Sequence, residues 1–191
     1  MNICVYGASS DLIDNSFISA GELLGKRMAQ RGHNLVFGAG GAGMMGAVAR
    51  GVTAGKGKIK GVVPNFFNVD GILYDKCDEL VRTQTMRERK QIMEDSCDAF
   101  ITTAGGIGTF EEFFEMLTLK QLGRHDKPMV VLNTNGYYNE MIEMMKQAME
   151  KKFLFDAVAE LYYVTDDIEQ ALDYIENYEK KGINIFDYKG V

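Results

Sequence analysis

Metal-ligating side chains are scarce in this sequence. It has two histidines, His33 and His125, and three widely spaced cysteines, Cys4, Cys77 and Cys97, with no CxxC pair. A structural zinc site needs four clustered nitrogen or sulfur ligands, so none is expected. The odd, scattered cysteine set suits a cytoplasmic protein, and Cys4 and Cys97 read as small core residues beside apolar runs. Long hydrophobic runs are missing too: none approaches the roughly 20 residues of a membrane span. The opening Met1-Asn-Ile-Cys-Val-Tyr-Gly7 reads as a strand and lacks the basic region of a signal peptide. Positive charge is in deficit, with 21 Lys and Arg against 27 Asp and Glu and a net charge of −6. That balance excludes a general nucleic-acid binder, which needs a basic face. A small anion held by local dipoles stays open.

What the chain has in quantity is glycine, 21 in 191 residues, gathered at the ends of apolar runs. The length suits one domain with a substantial core, and no linker, repeat or low-complexity tract divides it. Apolar runs at 3–5, 34–37, 59–63, 99–101, 128–132 and 161–164 read as strands, with a shorter one at 79–82. Helical spacing fills 16–31, the segment ending near Ala54, 85–95, 109–122, 137–151 and 166–179. Thr85-Met-Arg-Glu88 opens one of these helices as a capping box. Residues 65–77 form an irregular loop over the edge of the sheet, and the tail from about 181 is loosely held. Strands alternating with helices imply right-handed βαβ units. The expected fold is α/β, a Rossmann-like doubly wound parallel sheet with helices on both faces, in a single domain.

Three constellations carry candidate chemistry. Residues 38–46, Gly-Ala-Gly-Gly-Ala-Gly-Met-Met-Gly, satisfy G-x-G-x-x-G twice between a strand and a helix. The acid expected about 20 residues on is absent, since Val63 and Pro64 occupy that place. The loop serves either helix–strand packing or close approach of a nucleotide, through Gly40, Gly41 and Gly43. The second constellation, Ala104-Gly-Gly-Ile-Gly-Thr-Phe-Glu-Glu112, follows a buried strand and opens a helix. Free N–H groups and the helix dipole make that an anion site, with Gly105, Gly106, Gly108 and Thr109 around it and Glu111 and Glu112 beside it. Thr109 to Glu112 is also a capping-box spacing, so Glu112 has a structural alternative. The third, Met86-Arg-Glu-Arg-Lys90, is either a solvated helix face or the source of an inward arginine suited to a phosphate or sugar hydroxyl.

Together these residues carry a resemblance. Gly105 to Glu112 resembles the PGGxGTxxE signature of the LOG ("Lonely guy") family, cytokinin riboside 5′-monophosphate phosphoribohydrolases formerly described as lysine decarboxylases. Met86 to Lys90 is similar to that family's MxxRK element, and Leu117 to Gly123, Lys127-Pro128 and Asn135-Gly-Tyr-Tyr138 match further. The resemblance implies that Arg89 and Glu112 form the catalytic pair. It places Lys90, the glycine turn with Thr109, and Thr118 on nucleotide-binding positions. The loops at 38–46 and at Gly7-Ala-Ser-Ser, with Ser9, correspond as well. It implies a nucleoside 5′-monophosphate substrate, no metal or redox cofactor, and a homodimer. Two departures stand out: Ala104 replaces the signature proline, and an acid before the MxxRK helix falls near Gly71, with Asp70 as its nearest substitute.

Overall fold

The computed structural model describes residues 1–67, 71–183 and 188. Seven parallel strands make one sheet: β1 (Asn2–Tyr6), β2 (Asn34–Phe37), β3 (Ile59–Pro64), β4 (Glu79–Thr83), β5 (Ala99–Thr102), β6 (Met129–Leu132) and β7 (Tyr163–Thr165). Their order is β4-β3-β2-β1-β5-β6-β7. The chain runs outward from β1 in one direction, then returns to β5 on the other side, so β1 and β5 flank the switch point. In open α/β sheets, ligands bind beyond the carboxyl ends of the strands at that point.

Among the described residues six α-helices cover the sheet: α1 (Asn15–Gln30), α2 (Gly43–Ala54), α3 (Met86–Asp95), α4 (Ile107–Gln121), α5 (Asn139–Glu150) and α6 (Ile168–Glu176). The period-two alternation of each strand feeds two cores. Ile3, Val5, Leu35 and Ile101 pack with Leu24 of α1, Val48 of α2 and Leu172 of α6. Cys4, Val36, Phe100 and Val131 face the other way, onto Met93 of α3, Phe113 of α4 and Met145 of α5. Cys4 and Cys97 are buried core residues, as their apolar neighbours suggest.

The Thr85 cap holds: its hydroxyl accepts from Glu88 N at 3.1 Å. Glu88 reaches back one residue further than a capping box requires, accepting from Gln84 N at 2.7 Å. The crossover from β3 to the parallel β4 contains no helix among its described residues. Its residues 72–74 run along the loop that follows β2 instead, with Gly41 N donating to Ile72 O at 2.8 Å and Tyr74 N to Ala39 O at 2.9 Å. Several element ends differ from expectation. Residues Thr134–Gly136 and Asp156–Glu160 are 3₁₀ turns, the last strand starts at Tyr163, and α6 stops at Glu176. Asp70 and most of the tail beyond 183 lie outside the described residues.

Candidate active site

The glycine turn sits at the switch point because β1 and β5 deliver two loops side by side. Thr103 N and its hydroxyl both donate to Tyr6 O, at 2.9 and 2.8 Å, and Ala8 N donates to Ala104 O at 3.1 Å. α4 starts at Ile107 with Gly106 as its N-cap and no side-chain cap. The helix therefore begins two residues before the position its spacing suggested. Thr109 is already inside the first turn, and Glu112 makes no capping bond to it. The consequence is an open helix end. Among the described residues, no group accepts a hydrogen bond from the backbone N–H groups of residues 104–109. Orphan donors at a helix N-terminus, reinforced by its dipole, attract an anion.

Glu112 turns toward Arg89. The guanidinium Nη1 donates to Glu112 Oε1 at 2.9 Å, and Nε donates to Val62 O at 3.1 Å. The two side chains are only 10% and 13% exposed. Arg89 therefore leaves the solvated run of α3 and points into the protein, while Arg87 stays exposed. Burial pushes the Glu112 carboxyl above the usual glutamate range, and the charge and hydrogen bond of Arg89 oppose that rise. Its other oxygen accepts no hydrogen bond among the described residues.

The two glycine-rich loops are not equivalent. α2 begins at Gly43, whose N–H is taken by Asp11 Oδ1 at 2.7 Å, and Met45 N donates to Ala8 O at 3.1 Å. Gly43 has φ +58°, and a Cβ there would lie 2.6 Å from Ala8 O. Its glycine is required by backbone packing against the β1–α1 loop. Gly38 has a different reason: a Cβ would lie 2.0 Å from Arg89 Nη2. The absent side chain is the space that the guanidinium occupies.

A cavity of about 660 Å³ gathers many of the candidates. Ser9, Gly40, Gly106, Gly108 and Thr109 line it, with Glu111, Glu112 and Arg89. Gly41, Gly43, Gly105, Lys90 and Thr118 do not. Lys90 is engaged by Glu111 and by Glu115, the latter at 2.7 Å. Burial pulls the Lys90 ammonium down, but these carboxylates outweigh it and hold its pKa above the usual lysine range. Thr118 is exposed further along α4. The rest of the lining is apolar: Met45, Val63, Pro64, Phe67, Leu73 and Met86. Two of these, Phe67 and Leu73, come from the crossover, which reads in the sequence as an edge loop, and the other four from elements far apart in the chain. Another depression of about 760 Å³, around Tyr162, Tyr174 and Tyr178, is larger but holds none of the candidates.

The family model described as "Possible lysine decarboxylase" matches residues 45–175. A probable cytokinin riboside 5′-monophosphate phosphoribohydrolase of Oryza sativa subsp. japonica is 34% identical over 179 residues, 94% of this chain and 72% of that protein. The chain belongs to the LOG family. A further member, a cytokinin riboside 5′-monophosphate phosphoribohydrolase of Arabidopsis thaliana, is 31% identical across 94% of this LOG chain and 84% of its own length. Among solved structures, the molybdenum cofactor carrier protein of Chlamydomonas reinhardtii superposes with a TM-score of 0.69 at 26% identity. That match covers 92% of this LOG chain and 95% of the carrier.

Proposed function

We propose that the cavity hydrolyses the N-glycosidic bond of a nucleoside 5′-monophosphate, AMP or an N6-substituted AMP, to free base and ribose 5-phosphate. The observation that carries this reading is a buried Arg89–Glu112 pair beside an open helix N-terminus, in one cavity. The 5′-phosphate sits on the free N–H groups of the turn and the first residues of α4. The apolar wall opposite accommodates the base. As the glycosidic bond breaks, positive charge develops on the ribose, as in other glycoside hydrolyses. The Glu112 carboxylate stabilises that charge and orients the water, whose oxygen bonds to the anomeric carbon as the base leaves with the bonding pair; the proton that the water gives up to solvent balances the one that the base takes from it. An arginine stays charged at neutral pH, so Arg89 holds and polarises rather than donating the proton.

Relatives at 31% and 34% identity carry phosphoribohydrolase names, which favours hydrolysis. The likeness to a cofactor carrier supports a second reading, in which the same cavity holds a nucleotide-like group without cleaving it. A carrier has no need of a carboxylate positioned by an arginine. Glu112→Gln separates the two: we expect base release to fall by about two orders of magnitude or more while the variant still binds AMP. Unchanged release would refute the role of Glu112.

The same reading makes the protein a homodimer. Thr118 lies nine residues beyond Thr109, about 13 Å along α4, and outside its own chain's cavity. It would serve a nucleotide only across a subunit boundary. Sedimentation should give twice the 21.3 kDa chain mass; a fully active monomer would contradict this.

A further inference from the structure

Proline would set the glycine turn through its ring, and this chain has Ala104 there. Three hydrogen bonds from outside hold the turn. The hydroxyl of Tyr138 donates to Thr103 O at 2.8 Å, Ala8 N donates to Ala104 O at 3.1 Å, and the hydroxyl of Tyr137 donates to Gly105 O at 2.7 Å. Three consecutive carbonyls are therefore held. No peptide bond among the described residues is cis. In a trans peptide the C=O and the following N–H point to opposite sides of the chain. Holding the carbonyls of residues 103, 104 and 105 fixes the directions of the N–H groups of Ala104, Gly105 and Gly106, which have no acceptor among the described residues.

The two tyrosines are themselves fixed. Tyr138 is 1% exposed, and its N–H donates to Asn133 Oδ1 at 2.7 Å. The Tyr137 ring stands edge-on to Phe17 of α1 at 5.8 Å and to Tyr138 at 5.0 Å. Asn135, at φ 55°, turns the chain between β6 and α5 so that both hydroxyls reach the same loop.

We propose that Tyr137 and Tyr138 are positioning residues of the anion cradle: their hydroxyls aim the backbone donors that receive the substrate's phosphate. This rests on the phosphate-binding part of the function proposed above. The hydroxyls touch carbonyls rather than substrate, so their loss should act on binding of the phosphate and leave the chemical step nearly intact.

Tyr137→Phe tests this, because the residue is 41% exposed and phenylalanine keeps the ring that stands against Phe17 and Tyr138. Inorganic phosphate and ribose 5-phosphate are titrated by NMR into the full-length wild type, Tyr137→Phe and Tyr138→Phe, alongside AMP hydrolysis and thermal melting. Loss of one hydrogen bond to the turn should weaken both ligands and raise KM for AMP about five- to tenfold, with kcat within about twofold and the melting temperature of Tyr137→Phe nearly unchanged. Unaltered phosphate affinity in both variants would overturn the proposal, as would a fall in kcat at constant KM. A wild type that binds no phosphate would overturn the cradle and this proposal together. A wild type that binds phosphate but releases no base would defeat only the hydrolase reading, and the tyrosine comparison would still decide the proposal through affinity.

Discussion

Gly38→Ala adds one methyl group, and the structure assigns it an effect out of proportion to its size. The new Cβ would lie 2.0 Å from Arg89 Nη2, 3.2 Å from Arg89 Cζ and 3.2 Å from Met45 Sδ. Restoring an ordinary contact moves the guanidinium by roughly 1–1.5 Å. Arg89 has no slack to absorb this, because Nε is bonded to Val62 O at 3.1 Å and Nη1 to Glu112 at 2.9 Å, both in a nearly dry environment. Breaking a buried ion pair costs about 3–5 kcal/mol, a large part of the roughly 5–15 kcal/mol that holds an ordinary domain together. A misplacement near 1 Å at the reacting centre lowers turnover about a hundredfold. We therefore expect a clear fall in denaturant midpoint and a loss of AMP hydrolysis of about that size, followed by chromatography of the released base. A variant with wild-type stability and turnover would refute the reasoning. One that melts earlier yet turns over normally would show that the place of the guanidinium is dispensable for chemistry.

The raised Glu112 carboxyl makes a prediction about pH. In the proposed mechanism its ionised form is the active one, so the acid limb of the rate profile should lie above the ordinary glutamate value of about 4.3. Arg89→Gln removes the group that opposes the rise, so the limb should move further up; a downward move would contradict the pairing. Stability responds to acid through His125. Burial pushes its imidazole down to about 4, against its hydrogen bond to Met116 O. The unfolded chain takes up this proton near 6.5, so the contribution is complete above that pH and is lost as pH falls toward 4. Discounted for partial exposure, it amounts to roughly 2 kcal/mol. Denaturant midpoints at pH 7 and pH 5 should show the loss in the wild type and a smaller one in His125→Gln.

The βα alternation was legible because each element carries its own signal: apolar runs of strand length, a Thr85 cap, and glycines after the strands. The candidate site was legible as a motif but not as a geometry. Nothing local says that Arg89 turns inward, because the space it enters is made by Gly38, 51 residues earlier, and its acceptor is a carbonyl of β3. The start of α4 was misplaced for a similar reason. Thr109 and Glu112 have capping-box spacing, but the helix is already under way at Ile107, and Glu112 finds a partner on α3. Gly40 and Gly43 look alike in sequence, yet one lines the cavity while the other is packed beneath Ala8 and Ser10. Contacts between distant segments decide such differences.

The most direct test of the central claim is the release of base from nucleotides by the purified protein. AMP, GMP, CMP and isopentenyl-AMP are incubated with it beside the matching nucleosides, and the products are separated by chromatography. Free base is expected from at least one adenine monophosphate, none from its nucleoside, and loss of the product in Glu112→Gln. Nucleotide that binds to the protein but stays intact in every incubation would contradict it and leave the carrier reading in its place.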